Sequence, residues 1–193
     1  MNIDFKKINT KSNYLSLLRL FLAIPFYFLL DHINEDFNYR LIVFGLMLFG
    51  LFTDLADGWL ARKFNEITEI GKIIDPLADK VAIGVIVTKL YLLSEIPNFY
   101  FWVIILRDVV IFTGGIVISK KIDKVLPSNL LGKITVLTIG FFLISLILNA
   151  KVDAPGIYIF LYYLSLAMSF ISVIGYGIRG YESIKWKKRH EAV

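Results

Sequence analysis

The chain alternates six long apolar stretches with short polar connections. The apolar stretches cover residues 14–33, 40–60, 74–94, 98–119, 130–149 and 156–178. Each is close to the roughly 20 residues that a helix needs to cross the hydrocarbon core of a bilayer. None shows the apolar–polar alternation of barrel strands, and a helix satisfies its backbone hydrogen bonds within its own segment. The pattern therefore predicts an all-α integral membrane protein, a bundle of six transmembrane helices.

The composition supports a membrane environment. Of the 193 residues, 57% are hydrophobic and 19% are charged, with a mean hydropathy of +0.69; soluble domains carry about 25% charged residues. The net charge is +5, but the basic residues lie beside apolar stretches, where anionic lipid head groups are the natural counter-ions. We therefore expect membrane lipids as partners and no nucleic acid. The lack of cysteine excludes disulfides, thiolate nucleophiles and iron–sulfur clusters.

The connections are short, so the sequence predicts one membrane domain over residues 1–193 and no separate soluble module. Residues 1–13 are interpreted either as a juxtamembrane helix on the membrane surface or as a simple charged lead-in. Residues 182–193 are predicted to form a basic cytoplasmic tail. The first stretch contains Arg19 and Pro25 and lacks a small-residue cleavage site, so we expect it to stay in the mature protein.

The distribution of Lys and Arg predicts the orientation in the membrane. Most of the 21 basic residues lie before the first stretch, near the connection between the second and third, between the fourth and fifth, and near the C-terminus. The opposite connections carry acids such as Asp31, Glu35 and Glu95. Because basic residues collect on the cytoplasmic side, both termini are expected in the cytoplasm.

Four aspartates flank the connection between the second and third stretches. Asp54 and Asp57 are three residues apart, and Asp75 and Asp79 are four apart, so each pair shares one face of a helix. A carboxylate within a membrane costs about 2.5 to 3.5 kcal/mol on insertion scales, so four of them need positive partners. Oxygen ligands without His or Cys suit Mg²⁺ or Mn²⁺, which commonly join carboxylates to phosphates. The aspartates indicate phosphoryl chemistry, although one pair alone is more typical of a helix cap or a solvated helix end.

Three further residues of this segment fit a phosphate ligand. Gly58 and Gly71 allow a ligand or a neighbouring helix to come close. Arg62 offers a planar guanidinium that matches a phosphate. Taken singly, the glycines are more typical of helix packing, and Arg62 is typical of a cytoplasmic anchor. Their joint spacing with the aspartates favours a ligand site.

The complete pattern is Asp54-x2-Asp57-Gly58-x2-Ala61-Arg62-x8-Gly71-x3-Asp75-x3-Asp79. It resembles the signature of the CDP-alcohol phosphotransferase family, whose members exchange the CMP of a CDP-linked lipid for an acceptor alcohol. With Pro76 and Lys80 beside the last two aspartates, it is most similar to the phosphatidylglycerophosphate synthase branch and to the related cardiolipin synthases. The resemblance implies a multi-pass protein, expected in a bacterial inner membrane, with its active site on the cytoplasmic side.

The resemblance also implies a role for each residue of the pattern. Two divalent ions, Mg²⁺ or Mn²⁺, would be held by the four aspartates, Asp54, Asp57, Asp75 and Asp79. Asp79 would in addition act as the general base that takes the proton of the acceptor hydroxyl. The cytidine diphosphate would be bordered by the remaining positions, Gly58, Ala61, Arg62 and Gly71. Family members are often homodimers, which leaves a homodimer open for this chain.

The expected reaction transfers a phosphatidyl group from CDP-diacylglycerol to sn-glycerol 3-phosphate. The products would be phosphatidylglycerophosphate and CMP. A cardiolipin synthase that uses phosphatidylglycerol, or another CDP-alcohol phosphotransferase, is the alternative within the family. A divalent-cation transporter or a non-catalytic membrane scaffold is the alternative outside it. Transport predicts polar residues along a path through several spans, whereas the acids here concentrate at one membrane face.

Three cations of the later stretches are candidates for binding the acceptor phosphate. Arg107 lies within the fourth stretch, Lys133 begins the fifth and Arg179 follows the sixth. A cation inside a span needs an anion or a route to water. Asp108 could pair with Arg107, and the other two could be anchors that reach the membrane surface. The resemblance favours an acceptor site, because related enzymes place basic residues of these helices beside the aspartates.

Overall fold

The computed structural model describes residues 11–64, 71–122 and 130–191, and every regular element within these ranges is helical. The helices are α1 (Lys11–Leu29), α2 (Phe37–Phe64), α3 (Gly71–Leu92), α4 (Asn98–Ile122), α5 (Leu130–Ile147), the single turn α6 (Ala150–Asp153) and α7 (Pro155–Glu191). A 3₁₀ turn, Leu30–His32, follows α1. Each predicted stretch corresponds to one long helix, so the all-α fold is confirmed. Most of segment 1–13 and the last two residues of the tail lie outside the described ranges.

Three of the described helices are long and apolar enough to cross a membrane, judged by length and composition. They are Asn98–Ile122, Leu130–Ile147 and Pro155–Lys187. The apolar runs described in the first half of the chain are shorter, namely Leu20–His32, Phe37–Thr53 and Ile83–Leu92. The protein is therefore a multi-pass membrane protein, and the count of six spans stays a prediction.

The chain forms two compact units that divide between Glu95 and Ile96, here called unit 1 and unit 2. In unit 1, α1 packs against both α2 and α3. The core of this unit consists of apolar side chains from all three helices and from the turn after α1, among them Phe26, Leu30, Val43, Val87 and Leu90.

An ion pair joins α3 to the turn after α1. The Lys89 ammonium lies 2.7 Å from a carboxylate oxygen of Asp31 and 3.8 Å from the centre of the Tyr27 ring. Lys89 is buried, whereas Asp31 is open to solvent. The lysine stem therefore packs inside the unit while its charge is neutralised at the edge.

A second set of polar contacts lies at the same end of unit 1. Arg40, in the first turn of α2, donates to Asn34 Oδ1 at 2.7 Å, and Asn34 Nδ2 donates to Glu95 Oε1 at 3.1 Å. α3 ends in a turn in which Ser94 has a φ of 60° and Glu95 N donates to Leu90 O. These contacts and the Lys89–Asp31 pair together form what we call the unit 1 clasp.

The start of α2 is stabilised by Asp36. Its carboxylate accepts hydrogen bonds from the Asn38 backbone N–H at 3.0 Å and from the Asn38 amide at 2.9 Å, so Asp36 is the N-cap of the helix. Because these bonds favour the charged form, the pKa of Asp36 is lowered.

Unit 2 is organised around α7, which packs against both α4 and α5. Tyr100 of α4 contacts Ser165, and Arg107 contacts Ser172, so α4 and α7 run parallel. On the other side, α5 runs antiparallel to α7, with Thr135 near Met168 and Phe142 near Tyr158. A cluster of packed rings fills one end of the unit and consists of Tyr100, Phe142, Tyr158 and Tyr162.

Two glycines allow α4 and α7 to approach closely. A Cβ atom at Gly115 would lie 2.8 Å from the Tyr176 hydroxyl oxygen, and one at Gly180 would overlap the Ile118 side chain. Gly177, by contrast, has no heavy atom within 4 Å of the position of its missing Cβ. Lys187 Nζ donates to the Lys121 carbonyl at 3.0 Å and extends this contact to the end of α4.

Candidate active site

The backbone of all four signature aspartates is helical. α2 continues through Asp54 and Asp57 to Phe64, and α3 contains Asp75 and Asp79. At the rise of an α-helix, Asp54 and Asp57 are about 4.5 Å apart along the axis of α2, and Asp75 and Asp79 are about 6 Å apart along the axis of α3. The other predicted contacts of the CDP-lipid lie in the same helices, with Gly58, Ala61 and Arg62 in α2 and Gly71 as the first residue of α3. The side chains of these residues lie outside what the structure describes.

The clasp defines how the two aspartate-bearing helices run. The start of α2 and the end of α3 meet there, so the chain leaves the clasp along α2 and returns to it along α3, and both helices extend to the same side of the clasp. Asp54 follows Arg40 by 14 residues, or about 21 Å along the helix, and Asp79 precedes Lys89 by ten residues, or about 15 Å. The backbone thus carries both aspartate pairs to the end of unit 1 that is remote from the clasp.

The donor set of this end is chemically suited to a hard divalent cation. It consists of four carboxylates on two helices, without His or Cys, and carboxylate oxygens are the usual ligands of Mg²⁺ and Mn²⁺. Among the side chains that the structure does describe, no group of three or more His, Asp or Glu residues could hold a metal. The assignment of the four aspartates as metal ligands stays a prediction, because their side chains lie outside the described part of the structure.

Arg107 is buried in unit 2, with 8% of its surface exposed. Its Nε donates to Ser172 Oγ at 3.2 Å, and its Nη1 donates to Asp108 Oδ1 at 2.5 Å. The interpretation of Asp108 as an intrahelical partner is confirmed. The predicted contact of Arg107 with an acceptor phosphate is not tested by these bonds.

The two other candidate cations lie in the same half of unit 2 as Arg107. Lys133 is the fourth residue of α5, and the bond from Thr135 Oγ1 to Met168 O sets this end of α5 beside the Ser172 region of α7. Arg179 follows Ser172 by seven residues, or about 10 Å along α7. The Lys133 side chain is exposed and the Arg179 side chain is half-buried.

A row of buried serines on α7 is a feature that the sequence reasoning missed. Ser165, Ser169 and Ser172 are at most 2% exposed and lie on the face that meets α4. Their signal was the spacing of four and three residues within an apolar helix, which places them on one face.

Comparisons with known proteins agree with the sequence pattern. A family model described as CDP-alcohol phosphatidyltransferase matches residues 9–173. A protein of Aquifex aeolicus named CDP-diacylglycerol–glycerol-3-phosphate 3-phosphatidyltransferase is 32% identical over 178 residues, which are 89% of this chain and 96% of that protein. A Rickettsia typhi protein of the same name is 33% identical over 142 residues, 72% of this chain and 76% of its own length.

A cardiolipin synthase is among the proteins that match a shorter part of the chain. Human cardiolipin synthase (CMP-forming) is 42% identical over 106 residues. This match covers 54% of the chain and 34% of the human protein, so it extends over a smaller part of both proteins than the two bacterial matches.

Proposed function

Because the chain belongs to the CDP-alcohol phosphatidyltransferase family, we propose that it transfers a phosphatidyl group from CDP-diacylglycerol to sn-glycerol 3-phosphate. CMP is released and phosphatidylglycerophosphate is formed, a step of phospholipid biosynthesis. The observation that carries the proposal is the nearly full-length similarity to a relative named for this reaction, which covers 89% of the chain.

The chemistry of the transfer requires an activated hydroxyl. Asp79 takes the proton of the acceptor hydroxyl, whose oxygen then forms a bond to the phosphorus that bears the diacylglycerol. The bond between this phosphorus and the bridging oxygen breaks, and its electron pair leaves with CMP. Two bound divalent ions, Mg²⁺ or Mn²⁺, would neutralise charge on the diphosphate and on the departing CMP. They would be held by Asp54, Asp57, Asp75 and Asp79.

The remaining signature positions would bind the donor substrate. Gly58 and Gly71, which have no side chain, would allow the donor to come close to the aspartates, and the Arg62 guanidinium would bind its diphosphate. Ala61 would border the cytidine. The helical backbone of all four positions supports this assignment, because their sequence spacing then translates into regular positions along α2 and α3.

The acceptor phosphate would be bound by the cations of unit 2, Arg107, Lys133 and Arg179. Their positions in one half of that unit support the proposal. A dianionic phosphate would also supply a second anion for the buried Arg107, whose one acidic partner among the described residues is Asp108, bound through Nη1.

The proposed placement in the membrane follows from the same assignment. All six long helices span the bilayer of a bacterial inner membrane, both termini and the active site face the cytoplasm, and residues 1–193 form one domain. A site at the cytoplasmic surface gives access to a lipid donor from the bilayer and to a water-soluble acceptor from the cytoplasm. A homodimer is compatible with this arrangement.

A cardiolipin synthase activity is the second candidate. It is favoured by the 42% identity to human cardiolipin synthase over 106 residues, although that match covers only 54% of the chain. Other acceptor alcohols are further alternatives within the family. A cation transporter or a scaffold is disfavoured by the family membership.

The decisive experiment is an assay of the purified protein with CDP-diacylglycerol and a panel of acceptors. We expect CMP release with glycerol 3-phosphate and identification of the lipid product as phosphatidylglycerophosphate by mass spectrometry. Consumption of phosphatidylglycerol with no use of glycerol 3-phosphate would replace the proposal by cardiolipin synthesis. Divalent-cation flux in vesicles without CMP release with any acceptor would instead indicate a transporter.

The role of the aspartates can be tested by Asp79→Asn. Loss of a general base should lower the rate of CMP release by about 10²- to 10⁴-fold while the protein stays monodisperse in detergent. A divalent-metal chelator should silence the wild type. Asp153→Asn, an equivalent change at an exposed position in α6, should keep full activity. Near wild-type turnover by Asp79→Asn would remove this residue from the mechanism.

A further inference from the structure

The parallel contact between α4 and α7 contains two polar pairs at matching intervals. The Tyr100 hydroxyl lies 2.9 Å from Ser165 Oγ, and Arg107 Nε lies 3.2 Å from Ser172 Oγ. Both the α4 members and the α7 members are seven residues apart, so the same helix register serves both pairs. Small serine side chains let the two helices approach and let a long α4 side chain reach across.

The Ser172 hydroxyl is held in one orientation. Its Oγ is 2.8 Å from the Ser169 carbonyl oxygen, which can only accept, so the hydroxyl proton is donated to that carbonyl. The oxygen lone pairs are then free to accept from Arg107 Nε. With 2% of its surface exposed, Ser172 gives Arg107 a partner that water does not readily replace.

The Arg107 guanidinium is thereby fixed at two points and keeps an unused edge. Nε is bound to Ser172 and Nη1 to Asp108. A guanidinium has five N–H donors, and within the described ranges Nη2 has no hydrogen-bond partner from the protein. A charged group at this depth in the protein needs its donors satisfied. The unused donors match an oxyanion.

We propose that Ser172 is a positioning residue for the acceptor site. By accepting from Nε, it sets the plane of the Arg107 guanidinium so that the remaining N–H groups face the phosphate of the acceptor. Without this bond, Arg107 stays tethered only through Asp108 and can turn about its side-chain torsions. This inference rests on the proposed function, because it takes the acceptor to be a phosphate ester bound by Arg107.

The test compares Ser172→Ala with Ser169→Ala. Both serines are buried on the same face of α7, but the Ser169 hydroxyl donates to the Ser165 carbonyl, and its side chain has no bond to Arg107. Ser172→Ala should raise the KM for glycerol 3-phosphate by about five- to tenfold, the effect of one lost hydrogen bond. The KM for CDP-diacylglycerol should change less than about twofold. Ser169→Ala should leave both constants near wild type, and Ser172→Thr should restore the acceptor KM.

A double-mutant cycle separates positioning from general packing. If Ser172 acts through Arg107, then Ser172→Ala should have no further effect on the acceptor KM in an Arg107→Ala background. Full additivity of the two effects, or equal losses in Ser172→Ala and Ser169→Ala, would overturn the proposal. If Ser172→Ala does not fold, Ser172→Thr and Ser172→Val give the same comparison, since they differ mainly in the hydroxyl. Equal acceptor KM values for that pair would also overturn it.

The failure of the proposed function has a different signature. In that case the wild type itself releases no CMP with glycerol 3-phosphate, and the positioning role of Ser172 is then wrong together with the proposed function. If the wild type is active and Arg107→Ala weakens acceptor use while Ser172→Ala does not, only the positioning role is wrong.

Discussion

Lys89 illustrates how a single charged side chain is accommodated in an apolar helix bundle. Only 6% of its surface is exposed, yet its ammonium reaches Asp31 at 2.7 Å and lies above the Tyr27 ring. The aliphatic stem packs with the core while the charge lies at the edge of unit 1, where Asp31 meets solvent. The carboxylate therefore offsets the desolvation of the ammonium.

At the residue scale, we expect substitution of Asp31 and substitution of Lys89 to lower the stability by different amounts. Asp31→Ala leaves the buried ammonium without its carboxylate and should lower the free energy of unfolding by about 1.5 kcal/mol, the lower end for charged hydrogen bonds because Asp31 is partly exposed. Lys89→Met removes the charge and keeps an apolar stem of similar length beside Tyr27, so it should cost less. Thermal unfolding in detergent measures both variants.

Glu182→Ala, a change at an exposed acid of α7, serves as the control and should leave the melting temperature unchanged. If Asp31→Ala lowers the free energy of unfolding less than Lys89→Met does, then Lys89 stabilises unit 1 mainly through packing, and its ion pair contributes little.

The contact between α4 and α7 depends on glycines, whose lack of a side chain lets the two helices pack closely. Gly180 lies against Ile118, and Gly115 lies against the Tyr176 hydroxyl. In a lipid environment, helix association depends on close packing more than on the hydrophobic effect, so such glycines carry much of the contact. The same helix pair holds the Arg107–Ser172 bond, which requires the two backbones to stay in register.

At the element scale, we therefore expect opposite effects from two similar substitutions in α7. Gly180→Ala should destabilise unit 2 by about 1 kcal/mol, because the new methyl group forces the Ile118 side chain to move. Gly177→Ala, three residues earlier, meets open space and should be neutral or slightly stabilising, since Ala favours a helix over Gly. Melting temperatures of the two variants in the same detergent compare them directly. Equal effects would show that the Gly180 contact is loose.

At the scale of the whole molecule, the absence of cysteine makes the topology directly testable. Single cysteines can be introduced without removing any native thiol, and a membrane-impermeant maleimide then reports which side of the membrane each one faces. If all six long helices span the bilayer, cysteines at Glu66, Lys120 and Lys185 should react from the cytoplasmic side. Cysteines at Glu35 and Lys151 should react from the opposite side.

The positions in the first half of the chain decide the number of spans. Glu35 and Glu66 flank α2, so they face opposite sides only if α2 crosses the membrane. Labelling of both from one side would show that α2 does not cross the membrane and would overturn the count of six spans.

Much of the fold could be predicted from local properties of the chain. Six apolar stretches correspond to six long helices because hydrophobic length and backbone hydrogen bonding act within each segment. The helical spacing of Asp54, Asp57, Asp75 and Asp79 was predictable for the same reason, and the signature that contains them identified the family. Helix boundaries were less predictable. α7 ends 13 residues after the apolar stretch that ends at 178, because the polar residues that follow the stretch continue the helix.

What only the tertiary structure decided are the pairings between distant residues. Lys89 and Asp31 are 58 residues apart, and Arg107 and Ser172 are 65 apart, so no local pattern links either pair. Their contact depends on which helix faces pack together and in which register, and this depends on close fits such as Gly180 against Ile118. Sequence hydrophobicity specifies that a segment is buried in lipid or protein without specifying its neighbour. For that reason the chain by itself determined its helices, its membrane character and its signature aspartates, whereas packing alone decided which residue holds the buried arginine.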